Sequence, residues 1–120
     1  MNGLTPEEKT HIVRYLVRHF RAYSIILFGS AAQASLRQDS NVDIAYLTDS
    51  SPAPEIHTSV KKELEQLLCR EVALVNFAQA APFYKTQIVS GGKLLYDQRP
   101  LDRQYILKKA LKDYVLQAQG

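Results

Sequence analysis

With a single cysteine, Cys69, the 120-residue chain has no internal disulfide and no cysteine-based zinc site. It has no secretory apolar core near Met1 and no apolar run approaching a membrane span, which argues against export or insertion and for a cytoplasmic setting. Glycine and proline are sparse, five of each, and neither an internal repeat nor a low-complexity tract interrupts the chain. At 46% hydrophobic and 22% charged residues, positions 1–120 read as one domain with a modest core.

Charge is uneven along the chain. Residues 1–92 carry nine Lys/Arg and nine Asp/Glu, whereas 93–120 carry six and three, so the net +3 resides at the C-terminus. A basic end suits nucleic acid or an acidic partner. However, Arg103, Lys108, Lys109 and Lys112 also make an ordinary solvated helix face, and no aromatic interleaving suited to base stacking accompanies them. Nucleic-acid binding is therefore the weakest reading.

Thr5-Pro6-Glu7-Glu8 joins an N-cap threonine, a proline at the first helical position and a glutamate three residues after the cap, the arrangement of a reciprocal capping box. A helix is expected from there, with Ile12, Leu16 and Phe20 inward and Val13 and Val17 beside them. His11 and His19 lack metal-ligand partners and read as solvated or capping groups. Asp49-Ser50-Ser51-Pro52-Ala53-Pro54 is a loop. Beyond it, Ile56, Val60, Leu64, Leu67 and Leu68 mark an amphipathic helix that crosses between parallel strands, with Cys69 packed near its apolar stripe. A strand is expected over Glu71 to Phe77 and a short helix over Ala80 to Val89. Gly91-Gly92 reads as a turn into a strand at Leu94-Leu95-Tyr96, and a last helix runs from about Leu101 to Ala118, with Leu107, Leu111, Tyr114 and Val115 inward.

The chemistry concentrates between Ser24 and Leu47. Ile25 to Phe28 is a continuous apolar run, as in a strand buried on both faces. Gly29 ends it, and Ser30 with Ala31 to Leu36 opens a short helix. Free N–H groups at a helix start, with a serine hydroxyl, can cradle a phosphate, although a strand followed by a serine-capped turn has the same composition. Asn41 and Asp43, separated by one residue in the next strand, project to the same face, while Val42 and Ile44 face a core. An acid in such a strand either meets solvent at the strand end or holds a metal ion carrying nucleotide phosphates.

At these residues the sequence resembles the minimal nucleotidyltransferases, small relatives of the polymerase-beta superfamily, whose signature is Gly-Ser, ten residues, then Asp-x-Asp. Ala31 to Ser40 supplies the ten-residue gap, in which Ala32, Arg37 and Ser40 are kept and Ala31, Gln33 and Ala34 depart. Asn41 stands where the family has its first metal-binding aspartate. A third family carboxylate lies in a segment resembling Val-Asp-Leu-Val, here Val72-Ala73-Leu74-Val75, so Ala73 replaces it; Glu71, two residues earlier, is a candidate substitute. Gly92-Lys93-Leu94-Leu95-Tyr96 also matches a segment of small members.

The resemblance implies an α/β fold, a small mixed, twisted sheet flanked by helices, of the polymerase-beta-like nucleotidyltransferase type. It implies ATP and Mg²⁺ as cofactors, with Gly29, Ser30 and Arg37 on the nucleotide and Asp43, Asn41 and Glu71 at the catalytic centre, Asp43 on the metal. Two functions follow. One is an active Mg²⁺-dependent adenylyltransferase moving AMP from ATP to a protein hydroxyl. The favoured one is the MntA-like antitoxin branch, in which the chain partners a HEPN-domain protein and its site is impaired by Asn41 and Ala73. Self-association is left open.

Overall fold

The computed structural model describes residues 3–32 and 41–119, the side chains of 116–119 excepted. Four helices, α1 (Pro6–Phe20), α2 (Pro54–Leu68), α3 (Pro82–Gly91) and α4 (Pro100–Gln119), accompany four strands, β1 (Ser24–Phe28), β2 (Val42–Leu47), β3 (Val72–Asn76) and β4 (Lys93–Asp97). The sheet order is β3-β2-β1-β4. β1 runs antiparallel to both β2 and β4, whereas β2 and β3 are parallel, with α2 crossing between them. Among the described residues no helix is long and apolar enough to cross a membrane.

Period-two alternation divides the sheet between two helical layers. Ile25, Leu27, Val42, Ile44, Tyr46, Val72 and Leu74 meet α1 and α2 through Ile12, Leu16, Phe20, Val60, Leu64 and Leu68. On the other face Ile26, Phe28, Ala45 and Leu47 pack with Phe77 and Ile88, and Ile106, Leu107 and Ala110 of α4 lean against them. β1 is buried at every position because both of its faces are covered, as its unbroken apolar run requires.

The start of α1 follows its sequence closely. Thr5 Oγ1 accepts from the Glu8 amide at 3.1 Å, and Glu8 Oε1 accepts from the Thr5 amide at 2.8 Å. β3 is shorter than expected, because the Asn76 side chain accepts from the Ala78 amide and turns the chain into a single 3₁₀ turn, Phe77–Gln79. Gly91 closes α3 instead of opening a turn. Gly92 follows where a Cβ would strike the Ile88 carbonyl and come within 2.6 Å of Ile26 Cγ2, so β4 enters the sheet only past a residue without a side chain.

Three expectations are corrected. Cys69 is exposed, because α2 makes its last core contact at Leu68 and Cys69 takes the left-handed C-cap conformation, φ 53°, that swings its side chain outward. Ile56 and Leu67 are also exposed; α2 meets the core through the narrower i, i+4, i+8 stripe of Val60, Leu64 and Leu68. Finally, Leu111, Tyr114 and Val115 are not inward. α4 outlasts the layer it packs on, and its buried contacts stop at Ala110.

These differences give a direct stability contrast. In urea titrations Leu64→Ala should lose about 2–5 kcal/mol, the usual result of emptying a fully buried leucine site. Leu111→Ala should change stability by less than about 0.5 kcal/mol, as for an ordinary surface substitution. Equal losses would mean that α4 packs along its whole length.

Candidate active site

The site forms where β1 ends and β2 begins. Antiparallel pairing sets Asp43 opposite Phe28, the last residue of β1. The next residue, Gly29, turns left-handed at φ +59° and enters a 3₁₀ turn over Gly29–Ala32. This backbone passes directly against the Asp43 carboxyl group: a Cβ at Gly29 would overlap Asp43 Oδ2 and lie 3.2 Å from Cγ. The left-handed angle and this close approach both call for glycine. Ser30 Oγ, 3.4 Å from the Asn41 carbonyl oxygen, ties the turn loosely to the entry of β2.

On the other side, parallel pairing places Ala73 beside Asp43. Position 73 is thus the neighbouring site from which a second carboxylate could share a ligand with Asp43, and its methyl group offers none. Asn41 and Glu71 are both exposed and lie one residue before their strands. The Glu71 main chain is fixed by its carbonyl, which accepts from the Val42 amide at 2.9 Å. Its carboxylate starts two residues, roughly 6–7 Å of strand, from position 73. The structure therefore gathers Gly29, Ser30, Asn41 and Asp43 and leaves Glu71 at the margin. Arg37 lies outside the described residues.

Asp43 is half-buried, and burial pushes its carboxyl pKa up from 3.8. Among the described residues no cation or hydrogen-bond donor satisfies the carboxylate. A Mg²⁺ site needs several oxygen ligands in near-octahedral geometry, and a two-metal clamp needs carboxylates to bridge it. Among the described residues the donors are one carboxylate and one exposed amide, Ala73 offers none, and no group of three or more His, Cys, Asp or Glu is placed to hold an ion. This donor set does not fit the two-metal clamp.

A groove of about 490 Å³ follows the free edge of β3, lined in part by Tyr46, His57, Leu74, Asn76 and Tyr84. His57 was not singled out from sequence, although a tyrosine in an apolar strand requires a partner for its hydroxyl. Tyr46 is fully buried, its pKa pushed up to about 12 by burial, and its hydroxyl lies 2.8 Å from His57 Nδ1. His57 Nε2 lies 2.9 Å from the Leu74 carbonyl oxygen. The pair closes one position of the open sheet edge and leaves the ring no free nitrogen for a ligand.

The strand, glycine turn and acid-bearing second strand sit within residues 10–101, which match the family described as Polymerase beta, Nucleotidyltransferase. The chain belongs to that family. Among solved structures, this nucleotidyltransferase fold is similar to a mutant of the toxin–antitoxin MntA–HpeT, at 26% identity and a TM-score of 0.83, over 92% of this chain and 90% of the other. The same figures hold for a toxin–antitoxin crystal structure with AMP-PNP. A tri-AMPylated Shewanella oneidensis HEPN toxin in complex with MNT antitoxin is similar in fold, at 24% identity and a TM-score of 0.79 over 94% and 89%. No curated protein matches the sequence.

The raised pKa of Asp43 fixes the sign of a pH effect. The folded state holds the proton more tightly than the unfolded chain, so the relief is fully present below pH 3.8 and is lost as pH rises through the folded-state value. At neutral pH the ionised group destabilises the fold. Asp43→Asn should therefore raise the melting temperature at pH 7 and lose that advantage near pH 3. A lower melting temperature at pH 7 would mean that the carboxylate has a stabilising partner.

Proposed function

We propose that this chain is the antitoxin-like partner of a HEPN-domain toxin in the cytoplasm, and that its nucleotidyltransferase site is impaired. The observation that carries the second half is the register of β2 with β3, which puts Ala73 beside Asp43 and leaves one carboxylate where the chemistry needs a cluster. The likeness, over 92% of the chain, to structures of toxin–antitoxin pairs supports the first half.

Gly29 and Ser30 hold phosphate through main-chain and hydroxyl donors, which the replacements at 41 and 73 leave intact, and Arg37 neutralises charge on the nucleotide. ATP is thus bound weakly and with little dependence on Mg²⁺. Transfer of AMP to a protein hydroxyl is slow, because Asn41 presents a neutral carbonyl and Ala73 nothing. If the missing charge forfeits about 4 kcal/mol of transition-state stabilisation, the rate falls roughly a thousandfold.

Co-expression with a HEPN-domain protein of the same source, followed by size exclusion, should give one complex peak; separate monomers at micromolar concentration would contradict the partnership. With radioactive ATP, the wild type should label that partner weakly or not at all, and Asn41→Asp with Ala73→Asp should restore Mg²⁺-dependent labelling. Robust transfer by the unmodified chain, abolished by Asp43→Ala, would establish the active adenylyltransferase instead. Its further loss on Glu71→Gln would identify Glu71 as the missing carboxylate.

A further inference from the structure

The first half of α4 is anchored twice. Arg99 pairs with Asp49 and Asp102 and lies over the Tyr23 ring at 4.2 Å, and Arg103 pairs with Asp97 at 2.9 Å, whose other oxygen accepts from the buried Ser24 hydroxyl at 2.7 Å. Ile106, Leu107 and Ala110 then pack on the sheet layer. Beyond them Leu111, Tyr114 and Val115 are 47%, 44% and 43% exposed, at the i, i+3, i+4 spacing of a packed helix face. Leu101 and Tyr105, more exposed still, extend this apolar surface toward the helix start.

At 3.6 residues per turn, Leu101, Tyr105, Leu111, Tyr114 and Val115 occupy one half of the helix circumference. The charged residues within that half, among those whose side chains are described, are Lys108 and Lys112, both exposed. At its edge a notch of about 120 Å³ opens between α3 and α4, lined by Pro82, Lys85, Ala110, Asp113 and Tyr114, with room for roughly one aliphatic side chain. An apolar strip that carries two lysines, with a small notch beside it, makes a protein-docking face.

We infer that this half of α4 docks the helical partner, against an apolar helix face rimmed by carboxylates. The inference rests on the partnership proposed above and locates it. Charge selects the occupant. Isologous pairing of two copies centred on this strip would bring Lys108 and Lys112 of one copy against those of the other, whereas Asp or Glu on a different chain complements both.

The test measures affinity for a purified HEPN-domain protein of the same source. Leu111→Glu should weaken binding at least about tenfold, with circular dichroism melting unchanged because the site is exposed in the free chain. Ile56→Glu, 46% exposed on the α2 face of the sheet, should bind as the wild type does. Reversing Lys108 and Lys112 to glutamate should slow association and remove its salt dependence. Wild-type affinity in Leu111→Glu would overturn the assignment of the face while leaving the partnership standing, as would an equal loss in Ile56→Glu. Self-association of the wild type that Leu111→Glu dissolves would make the occupant a second copy. Absence of any wild-type complex would overturn both the face and the partnership.

Discussion

The contact between Gly29 and Asp43 is the constraint on which the site depends. β1 and β2 are antiparallel neighbours, so the residue that ends β1 must lie across from the residue that opens the acidic strand. Gly29 lets the turn pass over the Asp43 carboxyl group without a Cβ, and in doing so it removes water from one side of that group. Burial then makes the ionised form costly. A half-buried acid without a partner among the described residues is a local conflict of the kind folds keep where chemistry is done.

What surrounds Asp43 decides what can be done there. In the function proposed above, the Gly29–Ser30 turn supplies the phosphate donors, whereas the strand beside Asp43 presents an alanine where charge would be required to bind metal. On that proposal binding and catalysis are separable, since main-chain and hydroxyl donors would serve the first and carboxylates the second. The antitoxin reading depends on a different surface, the unpacked half of α4. Loss of one function therefore need not remove the other.

Much of the fold is legible in the sequence because its signals are local. The Thr5–Glu8 cap, the apolar run of β1 and the alternation through Val42, Asp43 and Ile44 each follow from the geometry of a single element. The crossover from β2 through α2 to β3 is readable from the helix between two short apolar runs. By contrast, the exposure of Leu111, Tyr114 and Val115 depends on where the neighbouring layer stops, and helical periodicity carries no information about that. Cys69 likewise looks like a core thiol until the left-handed cap is known. The pairing of Asp43 with Ala73 is a matter of register, which a shift of one residue would have reversed. Likeness to the family motif suggested that register, and the sheet displays it.

The proposed site keeps phosphate donors at Gly29 and Ser30 without a metal clamp at Asp43. Calorimetric titration of the purified chain with ATP, once in EDTA and once in millimolar Mg²⁺, tests it most directly. The account predicts weak binding whose dissociation constant changes less than about threefold between the two conditions. Tightening by Mg²⁺ of more than about tenfold, equivalent to roughly 1.4 kcal/mol, would contradict it.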